Sequence, residues 1–134
     1  MERLILDTGA LIALERGDIG SGQLADDDAD IAISAITAAE LLVGVELADD
    51  QRRDRRSTLV EGVFDRAEII AFDLIVARHH ATLLAHVRRA GQPRGAHDLQ
   101  IAATARAAGR TVLTTDVEAF NELPGVSYRV LPIR

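Results

Sequence analysis

The chain of 134 residues contains no cysteine and no lysine, few aromatic residues and no long hydrophobic run. The absence of cysteine excludes disulfides, thiol catalysis and cysteine-based zinc sites, and it is compatible with a reducing cytosol. The absence of lysine excludes P-loop, Schiff-base and receiver-type phosphoacceptor chemistry, because each of these needs that side chain. No stretch approaches the roughly 18 apolar residues of a membrane span or has the form of a signal peptide, so we expect no membrane association.

Charge and aromatic content limit the ways in which the chain could contact nucleic acid. The formal net charge is -6, so bulk electrostatics do not favour such contacts. Aromatic residues make up 3%, and we expect Phe72 and Phe120 in the core, which leaves little for base stacking. All fifteen basic residues are arginine, whose guanidinium suits phosphate groups. Two clusters could bind phosphates or simply lie on solvated surface: Arg52, Arg53, Arg55 and Arg56, and Arg88, Arg89 and Arg94.

Length and apolar patterning predict one α/β domain over residues 1–134. We predict strands at residues 2–7, 31–34, 68–72, 111–114 and 127–131. We predict helices at residues 8–16, 37–48, 57–65, 74–90 and 97–108, with a short one ending at residue 120. Residues 18–30 are expected to form a polar loop and residues 49–56 a charged bend. Short apolar strands among helices predict a doubly wound, three-layer α/β/α sandwich with a mostly parallel sheet of about five strands.

Four acids stand where apolar or loop segments give way to predicted helices: Asp7, Glu40, Asp98 and Asp116. Functional groups of a parallel sheet gather beyond the carboxyl ends of its strands, so these acids are expected to share one edge. The alternative is that each acid only caps a helix, and Thr37-x-x-Glu40 matches a capping box. Capping explains Asp7 least well, because an acid directly behind a buried strand is costly unless it is used.

Carboxylates without cysteine or clustered histidine suit a hard cation, Mg²⁺ or Mn²⁺. Magnesium keeps several waters and takes one or two direct carboxylates, which leaves room for a phosphodiester oxygen. His97 adjoins Asp98 and could contact a phosphate, but a surface histidine at a helix start is the favoured interpretation. The residues therefore predict a metal-binding acidic pocket.

At these positions the chain resembles the PIN-domain ribonucleases, specifically the VapC-type toxins of bacterial toxin–antitoxin pairs. Each matching segment is weak alone, but their order and spacing together resemble the family over nearly the whole chain. The matching segments are Leu6-Asp7-Thr8-Gly9-Ala10-Leu11-Ile12-Ala13-Leu14, Ser34-x-x-Thr37-x-x-Glu40-Leu41-x-x-Gly44, Asp98-x-x-Ile101-Ala102-Ala103-x-Ala105, and Leu113-Thr114-Thr115-Asp116-x-x-x-Phe120 followed by Pro124-Gly125.

The resemblance implies cleavage of RNA phosphodiester bonds by a water activated by Mg²⁺ or Mn²⁺. It carries over Asp7 and Asp98 as direct metal ligands and Glu40 as the acid that holds or deprotonates water. Asp116 matches the most variable of the four acidic positions. The resemblance also implies that the hydroxyls of Thr8 and Thr114 support the site, and the two arginine clusters become candidates for RNA binding.

Partners and location are further implications of the resemblance. Family members form homodimers in the bacterial cytoplasm and are inhibited by a cognate VapB-type antitoxin that covers the toxin's groove. The main alternative from a different class is a non-catalytic α/β binding module whose acids only cap helices. Metal binding distinguishes these two hypotheses, because only the nuclease needs Mg²⁺ or Mn²⁺.

Overall fold

A computed structural model describes residues 1–18 and 28–133 of the chain. The predicted polar loop at residues 18–30 therefore lies largely outside the described residues. The elements, in chain order, are β1 (Arg3–Leu6), α1 (Thr8–Arg16), β2 (Asp30–Ser34), α2 (Ala35–Glu46), α3 (Asp50–Arg66), β3 (Glu68–Ile70), α4 (Leu74–Ala90), α5 (Ala96–Ala108), β4 (Thr111–Thr114) and β5 (Tyr128–Val130).

The strands form one sheet in the order β3-β2-β1-β4-β5, and every neighbouring pair is parallel. Ile5 at the centre of β1 pairs with Ala32 on one side and with Val112 on the other. The chain adds β2 and β3 on one side of β1 and then returns to add β4 and β5 on the other. The switch point therefore lies between β1 and β4, where ligands bind in open parallel sheets.

Alternating side chains of the central strands separate two hydrophobic cores, one on each face of the sheet. Ile5 and Val112 pack with residues of α4 and α5. Leu4, Leu6 and Leu113 pack on the opposite face with residues of α1 and α2. This arrangement confirms the predicted α/β/α sandwich. In the described ranges, none of the helices combines the length and apolar content needed to cross a membrane.

Two predicted helix starts are wrong because side-chain caps act earlier than the sequence pattern suggested. The Ser34 hydroxyl accepts the Thr37 N–H at 3.2 Å, so α2 begins at Ala35 and the capping box from Thr37 to Glu40 does not form. The predicted charged bend at residues 49–56 belongs to α3, whose N-cap Asp49 accepts the Arg52 N–H at 2.9 Å. Its charges are compatible with a helix because oppositely charged side chains pair three residues apart.

Two further predictions fail near the ends of strands. The helix predicted before Phe120 is absent, since the Asp116 side chain accepts the N–H groups of Glu118 and Ala119 and holds a turn. Phe120 is fully buried as expected, but Phe72 is 45% exposed. Phe72 follows the short edge strand β3, and its ring meets His80 edge-on with centroids 5.7 Å apart.

Arg110 joins three strands at the amino-terminal edge of the sheet. Its side chain is 1% exposed, and Nη1 donates to the carbonyl oxygens of Leu4 and Asp30 at 3.1 and 3.0 Å. Nη1 also pairs with Asp30 Oδ1 at 3.0 Å, and Nη2 pairs with Glu68 Oε2 at 2.7 Å. A buried guanidinium with this many partners fixes β1, β2 and β3 relative to the start of β4.

We expect Arg110→Ala to lower the free energy of unfolding by about 2–4 kcal/mol, because two strand carbonyls lose their donor and two carboxylates lose their partner. Arg52→Ala is the matched control, since the exposed Arg52 pairs with Asp49 only at 3.9 Å. The control is expected to change stability by less than about 0.5 kcal/mol. Urea unfolding followed by circular dichroism measures both variants, and equal losses would contradict a special role for Arg110.

Candidate active site

Asp7 lies between the two central strands, at the carboxyl edge of the sheet. Its N–H donates to the Leu113 carbonyl at 3.1 Å, so the pairing of β1 with β4 continues up to this residue. Its side chain is buried, and Oδ1 accepts the Ala10 N–H at 2.7 Å as the N-cap of α1. Asp7 is therefore both a helix cap and a buried acid at the switch point.

Thr114 connects Asp7 with Asp116 at the end of β4. The Thr114 side chain is fully buried and is hydrogen-bonded to the Asp7 carboxyl group. The same hydroxyl accepts the Asp116 N–H at 3.0 Å. Thr114 thus links the backbone of Asp116 to the side chain of Asp7.

Asp98 approaches this edge from the first turn of α5, as the sequence predicted. The N-cap of α5 is Gly95, and no side chain caps that end of the helix. A Cβ built on Gly95 would lie 3.3 Å from Asp98 Oδ2, so a larger residue there would crowd the carboxylate. The turn before α5 therefore passes close to Asp98 because it carries glycine.

Glu40 lies on α2, and a chain of hydroxyls leads to it from the start of that helix. Thr8 Oγ1 lies 3.1 Å from Glu40 Oε1 and 3.2 Å from Thr37 Oγ1. Thr37 Oγ1 in turn lies 3.1 Å from Ser34 Oγ. The sequence predicted a supporting role for Thr8 but missed Ser34 and Thr37. The available signal was Ser34 itself, a polar residue that directly ends an apolar strand as Asp7 does.

His97 contacts Glu40 from the start of α5. Its Nδ1 lies 3.2 Å from Glu40 Oε1, and its side chain is 54% exposed. His97 is therefore a partly exposed histidine at a helix start, as expected, and it also lies close to a predicted site acid. No local sequence signal predicts this contact, because it joins two helices far apart in the chain.

Burial and like charges raise the pKa of Asp7. Burial is the larger cause, and repulsion by Asp98 and Asp116 adds to it. Hydrogen bonds from Thr114 and from the Ala10 N–H act in the opposite direction, because they stabilise the carboxylate. The pKa of Asp7 nevertheless lies above that of an ordinary aspartate.

The pKa of Asp98 is also raised, first by burial and then by repulsion from Asp116 and Glu40, with His97 opposing the rise. Asp7 is repelled by Asp98 and Asp116, and Asp98 is repelled by Asp116 and Glu40. All four predicted acids therefore form one cluster of interacting charges. We call these four residues the acidic cluster. Among the described residues, no arginine contributes to either shift.

The side chains of the acidic cluster do not already form a closed set of metal ligands. Within residues 1–18 and 28–133, no three histidine, aspartate or glutamate side chains stand together in an arrangement that could hold an ion. Their chemistry still fits a hard cation, because Mg²⁺ keeps several waters and needs only one or two direct carboxylates. Asp7, a buried carboxylate whose pKa is raised with no contribution from an arginine, would gain most from such an ion.

The arginines predicted to bind RNA divide between two cavities. Arg52, Arg55 and Arg56 line a groove of ≈ 510 Å³ with apolar residues of α1 and α3. Arg56 also borders a smaller cavity of ≈ 90 Å³ that contains Thr8 and Glu40, so this groove leads towards the acidic cluster. Arg53 instead bonds to Asp50 and to the Ala48 carbonyl at the start of α3.

The second arginine cluster lines a different cavity. Arg88 and Arg94 line a cavity of ≈ 290 Å³ that contains none of the four, and Arg89 is exposed. Arg94 Nη2 bonds to both the carbonyl oxygen and Oδ1 of Asn121, at 2.7 and 2.9 Å. Arg94 thus fastens the turn after β4 to the loop before α5.

Comparison with known proteins places this geometry in context. The family model described as the PIN domain matches residues 4–126. A ribonuclease VapC of Rickettsia bellii is 30% identical over 132 residues, which cover 98% of each chain.

Solved structures share the architecture. The VapBC-5 toxin–antitoxin structure from Mycobacterium tuberculosis aligns with a TM-score of 0.74 and 31% identity, covering 99% of this chain and 100% of that one. VapBC2 from Rickettsia felis, bound to a promoter DNA fragment, aligns with a TM-score of 0.84 and 24% identity over 95% and 97% of the chains. The second similarity, at its lower identity, shows the fold alone.

The raised pKa of Asp7 predicts how stability depends on pH. A group with a raised pKa binds its proton more tightly in the folded state, so stability falls as pH rises from the unfolded value to the folded one. We expect Asp7→Asn to remove part of this fall and to raise the free energy of unfolding at pH 8, since asparagine caps a helix as well as aspartate does.

The control for this prediction is Asp73→Asn, at the N-cap of α4, where the exposed side chain accepts the Val76 N–H at 2.9 Å. This change is expected to leave the stability nearly unaltered. Thermal unfolding of metal-free protein at pH 5 and pH 8 provides the measurement. A lower stability of Asp7→Asn than of wild type at pH 8 would show that the Asp7 charge is not destabilising.

Proposed function

The chain belongs to the PIN-domain family, among its VapC-type toxins, and on that premise we propose that it is a Mg²⁺- or Mn²⁺-dependent endoribonuclease. The observation that carries the proposal is the acidic cluster. Its four carboxylates come from four separate segments to one sheet edge, and two of them have a raised pKa. Helix capping alone does not require such proximity, because like charges repel one another.

In the proposed reaction Asp7 and Asp98 hold the cation. When bound, the cation neutralises the phosphate and acidifies the attacking water. Thr114 keeps Asp7 oriented through its hydroxyl bond, and the Ala10 N–H fixes Oδ1 of the same carboxylate. Glu40 accepts a proton of the water whose oxygen bonds to phosphorus. The opposite P–O ester bond breaks, and the leaving oxygen takes a proton from solvent. These residues contribute mainly by positioning and by charge.

Asp116 has a secondary place in this proposal. Its Oδ1 accepts two backbone N–H groups, at 2.8 and 3.2 Å, which hold the turn after β4. The carboxylate therefore completes the charge of the acidic cluster while it shapes the loop. We assign Asp116 to the support of the cation rather than to its direct coordination.

The substrate is RNA, held by phosphate contacts outside the acidic cluster. Arg52, Arg55 and Arg56 are the best placed candidates, because the groove that they line leads to Glu40. Arg94 is less available, since its guanidinium bonds to Asn121. Phosphate contacts of this kind bind RNA without reading its sequence.

The nuclease test compares Asp98→Asn with wild type on purified total RNA, with Mg²⁺, with Mn²⁺ and with EDTA. We expect the wild type to cleave only with the metal and Asp98→Asn to be slower by about 100-fold or more. Asp65→Asn, an exposed acid on α3, is the matched control and is expected to cleave normally.

Calorimetry of both variants with each metal, in the absence of RNA, separates the nuclease from a binding module. Metal affinity in wild type that is weakened in Asp98→Asn supports the proposal. No affinity and no cleavage in wild type would instead favour the binding module whose acids only cap helices.

We further propose that the protein acts in the bacterial cytoplasm as a homodimer and is inhibited by a VapB-type antitoxin. Light scattering after gel filtration is expected to give twice the mass of the chain. Coexpression with the product of the adjacent gene is expected to give a stable complex and to suppress RNA cleavage. A monomeric toxin that remains active with every neighbouring gene product would contradict this proposal about partners.

A further inference from the structure

One oxygen of Glu40 has two polar neighbours. Thr8 Oγ1 and His97 Nδ1 approach Glu40 Oε1 at 3.1 and 3.2 Å. No hydrogen bond from any other residue within 1–18 and 28–133 reaches Oε2. Glu40 is therefore held through one oxygen, and the second oxygen is available to water.

The two neighbours approach Glu40 from different helices. Thr8 lies on α1, and its hydroxyl can accept the proton of Thr37 Oγ1, 3.2 Å away, while it donates its own proton to Glu40. His97 lies on α5, and among the contacts of the described residues the polar partner of its Nδ1 is Glu40. His97 is therefore the residue placed to hold Glu40 from the side of α5.

We propose that His97 is a positioning residue, whose Nδ1–H fixes the Glu40 carboxylate so that Oε2 serves as the proton acceptor of the reaction. This inference rests on the proposed function and adds a residue to it. The contact also connects α5 with α2, which carry Asp98 and Glu40. His97, which precedes Asp98 in the chain, thus sets the position of Glu40.

The strength of this contact is limited by water. The side chains of His97 and Glu40 are 54% and 32% exposed, so solvent competes for both partners. We expect roughly a tenfold loss of kcat when the donor is removed, with KM for RNA little changed, because the bond orients a proton acceptor rather than the substrate.

Replacing His97 by asparagine or by glutamine distinguishes a positioning hydrogen bond from an effect of side-chain size. The side-chain nitrogen of asparagine can occupy the place of Nδ1, whereas that of glutamine reaches the place of Nε2. We expect His97→Asn to keep most of the activity, and His97→Gln and His97→Ala to lose it. Equal activity of the Asn and Gln variants would overturn the proposal, whichever way both of them change.

Nitrogen-15 NMR of the histidine rings tests the contact without RNA or metal. At pH 8 we expect His97 of wild type and of Glu40→Gln to carry its proton on Nδ1, because glutamine retains an acceptor oxygen. Glu40→Ala is expected to move the proton to Nε2, the usual tautomer of free histidine. An Nε2–H tautomer in wild type would overturn the proposal, even if the protein cleaves RNA.

The two proposals can fail separately. A wild type that shows the Nδ1–H tautomer but no metal-dependent cleavage overturns the proposed nuclease and with it the catalytic consequence for Glu40. Metal-dependent cleavage that is lost in Asp98→Asn but equal in His97→Asn and His97→Gln retains the nuclease and overturns the positioning role.

Discussion

The hydrogen bond from the Asp7 amide to the Leu113 carbonyl, 3.1 Å long, joins the two central strands where both reach the carboxyl edge. The rest of the acidic cluster depends on this connection. Because β1 and β4 end side by side, the Thr114 hydroxyl can reach the Asp7 carboxyl group while it accepts the Asp116 amide. A one-residue slip of β4 would turn Thr114 to the other face of the sheet and separate these groups.

The two edges of the sheet show opposite electrostatics. At the amino-terminal edge, the buried Arg110 satisfies two carboxylates and two carbonyls and holds the strand starts together. At the carboxyl edge, burial and then repulsion from neighbouring acids raise the pKa of Asp7 and of Asp98. Charge repulsion there opposes folding, whereas the contacts of Arg110 favour it. A stable sheet can therefore carry a destabilised site at its far end, as functional sites commonly require.

Much of this fold follows from the sequence, because apolar strands and amphipathic helices have distinct periods. The parallel sheet and the shared edge of Asp7 and Asp116 were predicted from the alternation of strands and helices along the chain. The start of α2 was not predicted, because the Ser34 hydroxyl caps the helix at an earlier residue. The turn after Asp116 was not predicted either. The contact of His97 with Glu40 joins α5 to α2 and has no local signature, so only the assembled fold reveals it.

Under the proposed function, an acidic chain must still bind a polyanion, and the distribution of charge explains how it can. The acidic cluster repels phosphate until a cation lowers its charge. Arg52, Arg55 and Arg56 lie on α3, outside the cluster, where the groove that they line runs towards Glu40. The arginines can therefore hold the RNA backbone at a distance from the acids. Under this proposal cleavage would depend on the cation, because a bound cation would offset the repulsion between the acidic cluster and the phosphate.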